Sequence, residues 1–451
     1  MPPVTRPKTE LTRALSRFDL TMIAVGSTIG SGIFLTPALI AHALPSIPWI
    51  LGIWLVGGLM ALAGALTFAE LGGMMPGAGG VYAYLCEAYG PLAGFLYGWA
   101  YFLVATGGGI AALSIAFATY LGYFFPMDPG GIRIAALGGL LIVTVLNVRG
   151  VKVGGLFSDV FTLLKLGGIL FLITIGLGWG TQSLRGSPDG GTALPADLPD
   201  MLALAMVGVL WSYGGWQHAS FAAAEAKDPR RSVPLAMITG AAIVVAVYLL
   251  ANVAYLMLLP VAGIAASGRV AADAMESVLG PAGGRIIAVA IFVSTFGTAG
   301  IYTLTAPRIY FAMARDGVFF RKVADVHPRY GTPALAIILQ SCWAALLILF
   351  WGTFENLISY VVFTDWIFFA LTAAAVFVLR KRRPDAERPY RTLGYPLTPL
   401  FFIAIAVWFV LNTLILKPGE AWAGIAFLAL GVPVFYVWKR KGSPPPKDPA
   451  A

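Results

Sequence analysis

Gly26-Ser27-Thr28-Ile29-Gly30-Ser31-Gly32-Ile33-Phe34 interrupts an apolar run that extends from Leu20 to Ala43. The run is long enough to cross the hydrocarbon of a bilayer, which takes about 20 helical residues. Its middle, however, holds three glycines and three hydroxyl residues, a composition that makes a poor helix. Inside a membrane an unwound backbone is tolerated only where protein or a water-filled cavity satisfies its polar groups, so the break predicts a site near the midplane. The same small residues would also serve close helix packing of the GxxxG kind, and this segment by itself leaves both readings open. A polar, basic stretch, Met1 to Arg17, precedes the run. The apolar core is too long for a secretory signal and lacks a convincing cleavage site, so it reads as a retained first helix.

The rest of the chain has the same character. Of 451 residues, 59% are hydrophobic and 11% charged, and the mean hydropathy is +0.82. Counting glycine as apolar and leaving out tyrosine gives about 67%, against roughly 45 to 50% in globular proteins. That composition excludes intrinsic disorder, a nucleic-acid-binding domain and a solvated α/β enzyme. It predicts an all-α polytopic membrane protein with twelve transmembrane helices. The approximate spans are 18 to 42, 48 to 75, 91 to 124, 132 to 149, 155 to 178, 200 to 224, 233 to 259, 284 to 314, 332 to 351, 356 to 379, 396 to 416 and 420 to 438. The longest outer loops, 179 to 199 and 260 to 283, are rich in Gly, Ala and Pro, and no separate soluble domain is expected.

Lysine and arginine set the orientation. Taking the N-terminus and every second loop as one side puts 23 of the 30 there, including the run Arg380-Lys381-Arg382-Arg383, and 5 on the other. Both termini are therefore expected in the cytoplasm, with the basic run an orientation and anionic-lipid signal rather than a nucleic-acid site. The two remaining, Lys165 and Arg308, fall within spans.

A second glycine pair in mid-span occurs in Trp211-Ser212-Tyr213-Gly214-Gly215-Trp216 of the sixth span. Interrupted segments at corresponding positions of two five-helix halves point to an inverted-repeat transporter with a central site. This gives a LeuT-type 5+5 arrangement with helices 1 and 6 broken. Residues 18–178 form the first repeat, 200–379 the second and 396–438 the last two spans, between cytoplasmic ends 1–17 and 439–451. A half-helix starting after Ser31 and Gly32 offers free amides and a positive dipole end, suited to a carboxylate. Orphan carbonyls before the breaks suit an ammonium group, so the pair favours a zwitterion and an amino acid is the natural substrate.

Lys165 sits ten residues into Leu156 to Gly178, roughly 15 Å along the axis. An ammonium at that depth costs about 2.5 to 3.5 kcal/mol and needs a partner. Asp159, six residues earlier, lies far round the helix from it. A buried amine can also exchange protons, which keeps proton coupling open beside obligatory exchange. Asp365 is the one obvious intramembrane acid and reads either as a pocket group or as a packing and water-path group. His218 reads as a pocket-lining group or as a satisfied interhelical histidine. Glu70 and Glu225 read as inner-gate ion pairs or solvated helix ends, and Arg308 as snorkelling to the cytoplasmic surface. Gly107-Gly108-Gly109 in the third span hints at room for a substrate side chain.

The ordered motifs Gly30-Ser31-Gly32-Ile33-Phe34 with Thr36-Pro37, Ser212-Tyr213-Gly214-Gly215-Trp216 continuing to Glu225 and Asp228-Pro229, Phe363-Thr364-Asp365-Trp366, and Glu387-Arg388-Pro389 resemble the amino acid, polyamine and organocation superfamily. Within it they resemble the L-type amino acid transporter branch, over roughly residues 16 to 440. The resemblance implies that the Ser31 and Gly32 amides bind the substrate carboxylate and that the Thr28, Trp211 and Gly214 carbonyls receive its amine, with Ser212 beside them. Trp211 would be the aromatic gate, where relatives commonly carry Phe. Sodium-coupled relatives of this fold hold a cation between helices one and eight. The resemblance implies that Lys165 replaces it, bonding helix-one carbonyls and the Ser294 hydroxyl, so that transport is sodium-independent. Asp365 is a departure, since relatives often carry an amide there. Some animal relatives are disulfide-linked to a heavy chain through the loop after span three, and Phe125 to Ile132 has no cysteine, so none is expected here.

Other classes are weaker. Cys86 and Cys342 read as inert thiols, and His42, His218 and His327 map to outer, middle and inner levels, so neither a metal site nor a clustered enzyme centre is expected. No phosphate-binding GxxxxGK[ST] loop is present, no cofactor is implied, and no filter or acidic ring suggests a channel. The expected function is sodium-independent exchange of neutral L-amino acids in a bacterial inner membrane. The alternative is a proton-coupled importer of neutral or cationic amino acids or polyamines.

Overall fold

The computed structural model describes residues 10–182, 198–350, 354–416 and 418–441. The first span is two helices, α1 (Arg17–Thr28) and α2 (Gly32–Ala43), followed by α3 (Ile47–Met74). A short α4 (Val81–Tyr89) leads into the third span, built from α5 (Pro91–Ala100), a π-helical turn at Tyr101–Ala105 and α6 (Thr106–Leu121). Next come α7 (Pro129–Val148) and α8 (Val151–Trp179). The sixth span is divided again, into α9 (Leu198–Tyr213) and a one-turn α10 (His218–Phe221), and α11 (Pro229–Leu258) is the seventh. Two short helices, α12 (Val261–Ala266) and α13 (Val270–Leu279), precede α14 (Pro281–Thr305), which α15 (Pro307–Arg315) continues. The remaining helices are α16 (Ala334–Phe350), α17 (Phe354–Arg382), α18 (Leu397–Leu416) and α19 (Pro418–Lys441).

Among the described residues, ten helical stretches are long and apolar enough to cross a membrane, and the shorter apolar α9 and α16 fall at the expected sixth and ninth spans. The loop 260 to 283, expected on the outer side, is built rather than irregular, because α12 and α13 bury Ile264, Val270 and Met275. Most of the other long outer loop, 179 to 199, lies outside the described residues. The peripheral helices expose Leu141, Leu156, Leu163, Leu411 and Ile415, the pattern of a surface whose solvent is lipid. The broken first span is the opposite: 83% of its most apolar stretch is buried, against 28% for α7.

Three long-range helix contacts tie the two ends of the chain together. The first span touches the sixth through α2 and α9, the second touches the seventh through α3 and α11, and the third touches the eighth through α6 and α14. Ser16 and Asp19 form a capping box that starts α1. The segment before it is strapped to the end of the sixth span: the Ala14 and Leu15 amides donate to the Glu225 carbonyl at 2.8 and 2.9 Å, and the Lys227 amide donates to Leu15 at 2.9 Å.

Candidate substrate site at the two helix breaks

The unwinding at residues 29–31 frees carbonyls at the end of α1, and the partners of four of them define the break. The Thr28 carbonyl accepts from the Gly30 amide at 2.9 Å and from the Tyr248 hydroxyl at 3.0 Å. The Gly26 and Ile29 carbonyls each accept from Lys165 Nζ at 2.8 Å, and the third donor of that ammonium goes to Thr298 Oγ1 at 2.7 Å. Lys165 is fully buried, and three donors meet three acceptors. Placing a cation at the C-terminal end of α1 is also favoured by the helix dipole. The hydroxyl partner thus differs from the expectation. Thr298, not Ser294, accepts from the ammonium, while Ser294 Oγ, one turn earlier on α14, lies 3.2 and 3.0 Å from the Ile29 and Gly30 carbonyls. Both hydroxyls face the break because positions four apart share a helix face.

The second break sits against the first. Ser27 Oγ lies 2.8 Å from the Gly215 carbonyl, and the Gly215 amide donates to Gln217 Oε1 at 3.0 Å. Gly215 has φ +133, and a β-carbon there would stand 2.5 Å from the Ser27 carbonyl oxygen, so only glycine fits. Gly32 is just as constrained: a β-carbon would meet Ser212 Oγ at 2.5 Å. Ser212 is itself buried in this helix contact, with its Oγ donating to Gly208 O at 2.7 Å and lying 2.9 Å from Thr36 Oγ1. The Ser31, Gly32 and Ile33 amides begin α2, where helix geometry supplies no main-chain acceptor.

A cavity opens beside the second break. Leu210, Trp211, Gly214, Gly215 and Gln217 form one wall; Tyr101 and Ala105 of the π turn, Tyr302 of α14, and Asp365, Trp366 and Phe369 of α17 form the rest. Of the expected substrate contacts, Trp211 and Gly214 line it, whereas Thr28, Ser31, Gly32 and Ser212 lie buried beside it. Trp211 joins the two groups, its indole N–H donating to Ser31 Oγ at 3.4 Å. Asp365 does line the cavity. His218 does not: it is buried behind Tyr101, with Nε2 3.0 Å from the Tyr101 hydroxyl, Nδ1 2.6 Å from Thr305 Oγ1, and its ring stacked on Tyr302. The glycine triplet of span three supplies contact rather than room, since a β-carbon on Gly107 would meet Trp343 at 2.5 Å and one on Gly109 would meet Tyr302 at 3.2 Å.

Two groups of charge pairs lie outside the cavity lining. Arg308 does not snorkel. It is fully buried and grips Glu225 with two bonds, Nε to Oε2 at 2.7 Å and Nη2 to Oε1 at 2.8 Å, while Nη1 donates to the Leu304 carbonyl. That bidentate geometry satisfies a buried pair far better than a point charge would. Glu70 takes Arg380 at 2.7 Å, Arg388 at 3.2 Å and the Thr392 amide at 2.8 Å. Sequence reasoning missed Thr298, Gln217, Tyr302 and the π turn. Ser294 with Thr298 and Tyr97 with Tyr101, each pair spaced by four, are the signals that would have found two of them.

A membrane-embedded helical bundle whose two opposed helix breaks meet at its centre, beside a cavity, has the architecture of a secondary transporter. The comparisons with known proteins agree. A family model for amino acid permeases matches residues 15–435. The serine/threonine exchanger SteT of Bacillus subtilis is 33% identical over 94% of this chain and 96% of its own length. The human b(0,+)-type amino acid transporter 1 is 31% identical over 97% of this chain and 92% of its own. The human large neutral amino acids transporter small subunit 2 is 32% identical over 93% of this chain and 79% of its own. The chain belongs to the amino acid permease family, in the L-type branch of the amino acid, polyamine and organocation superfamily, and is a transporter rather than an enzyme.

Proposed function

We propose that this protein exchanges neutral L-amino acids across a bacterial inner membrane by alternating access and without sodium. The observation that carries the reading is Lys165, whose ammonium is bound by the Gly26 and Ile29 carbonyls and by Thr298 between the first and eighth spans. A tethered cation supplies there the charge that a sodium ion would otherwise bring, so no ion need enter and leave with each cycle. The substrate carboxylate docks on the Ser31 and Gly32 amides, its amine on the Thr28, Trp211 and Gly214 carbonyls, and Trp211 gates the outer side. Exchange rather than net uptake is supported by the name of one relative, a serine/threonine exchanger. The two halves, 18–178 and 200–379, rock about this centre, with both termini on the cytoplasmic side where the basic residues cluster. Asp365 favours a second reading, proton-coupled import extending to cationic substrates or polyamines, because it sets an acid in the cavity wall.

Uptake of labelled amino acids into liposomes holding the purified protein, preloaded or empty, with and without sodium, tests both readings. Preloading-dependent, sodium-indifferent uptake is expected, with its loss in Lys165→Ala. Uptake into empty vesicles that follows an imposed proton gradient would establish the second reading in its place.

A further inference from the structure

We propose that Asp365 selects the substrate by accepting a hydrogen bond from a donor group at the end of its side chain. The proposal rests on the reading that the cavity beside the second break takes an amino acid. One wall of that cavity carries the Trp211 and Gly214 backbone, and Asp365 stands on another wall of the same space. A bound amino acid with its amine at the break therefore extends its side chain toward Asp365.

Among the described residues the Asp365 carboxyl has neither a hydrogen bond nor an ion pair. An acid at membrane depth is costly without a partner. The two fully buried cations among the described residues, Lys165 and Arg308, are committed elsewhere, the first to the broken end of α1 and the second to Glu225. Tyr101, on the cavity wall, does not offer a proton either. Thr305 donates to the Ile301 carbonyl at 2.8 Å, so its oxygen accepts from His218 Nδ1–H; Nε2 is then the acceptor for the Tyr101 hydroxyl proton. Tyr101 consequently turns lone pairs, not a donor, to the cavity. An unmatched carboxyl beside a tyrosine acceptor takes its partner from the ligand: a hydroxyl on a neutral side chain, or an ammonium. An apolar side chain of equal size would leave the acid desolvated and unpaired.

Counter-flow in preloaded liposomes, read as rate ratios for isosteric pairs, tests this: serine against alanine, threonine against valine, and ornithine against norleucine. The wild type is expected to favour the donor-bearing member of at least one pair by about tenfold or more, and Asp365→Leu to bring that ratio to about 1. Asp365→Asn separates the two donors, because an amide still accepts from a hydroxyl but has no charge for an ammonium. Equal rates for all three pairs in the wild type, or a wild-type ratio in both variants, would overturn the proposal. Should Asp365→Leu fail to fold, Asp365→Ala takes its place: a hydroxyl-pair ratio within twofold of the wild type in that variant overturns the assignment, as does an unchanged ornithine ratio in Asp365→Asn for the ammonium. Absence of any amino acid counter-flow in the folded wild type would instead remove the transport reading beneath it.

Discussion

Lys165 and Asp365 are both ionisable residues set inside apolar helices, and the protein treats them in opposite ways. Every donor of the lysine is spent on the unwound end of α1 and on Thr298. The aspartate stands in a cavity wall with no hydrogen bond or ion pair among the described residues. The helix break and the lysine answer one another: unwinding exposes carbonyls that a bilayer would penalise, and a buried ammonium needs acceptors. A charge matched so completely belongs to the framework. A charge left unmatched beside a cavity is open to a ligand, and that difference separates holding the site together from choosing what enters it.

Breaking the matched side gives the largest expected effect. Lys165→Ala strips a charged donor from three acceptors, at about 1 to 3 kcal/mol each, and should abolish exchange and lower the detergent melting temperature by many degrees. An unchanged melting temperature would show that the break does not depend on the ammonium. Arg308→Ala tests a second matched site: it leaves Glu225 buried and unpaired at about 3 to 5 kcal/mol, also seen in the melting curve. If Arg308→Ala melts like the wild type, water reaches Glu225 without the arginine. Thr298→Val removes one of the three acceptors while keeping volume, and about 1 to 2 kcal/mol of destabilisation with slowed exchange is expected, larger than for Ser294→Ala. A greater loss in Ser294→Ala would return the lysine's hydroxyl partner to Ser294. The smallest effect belongs to the unmatched side: Asp365→Asn should leave the melting temperature equal or slightly raised, within about 0.5 kcal/mol. A large drop would mean that the carboxyl is already bound within the framework.

Much of this was legible in the chain. The clustered glycines and hydroxyls at Gly26 to Gly32 and the Gly214-Gly215 pair mark the two breaks because helix propensity fails there locally. Lys165 stood out because a lone cation in an apolar run must find acceptors. Its hydroxyl partner was not legible, since Ser294 and Thr298 share one face of α14 and only the docking of that helix against α1 selects between them. Arg308 looked like a residue reaching for the surface until the fold brought Glu225, 83 positions away in sequence, into its grip. His218 had the same ambiguity, resolved by Tyr101 and Thr305 from two other spans. The Gly107 to Gly109 run misled, because a missing side chain means space only where no neighbour fills it, and Trp343 and Tyr302 do.

The sequence by itself determined that the chain lives in a membrane, where its helices run and break, and which rare ions must be accounted for. These are local matters of hydropathy, propensity and charge, fixed by neighbours along the chain. Only the tertiary structure decided which ion is matched and which is not. Hydrogen-bond partners are chosen over distances of 3 Å between helices far apart in sequence, and side-chain direction, not composition, sets those distances.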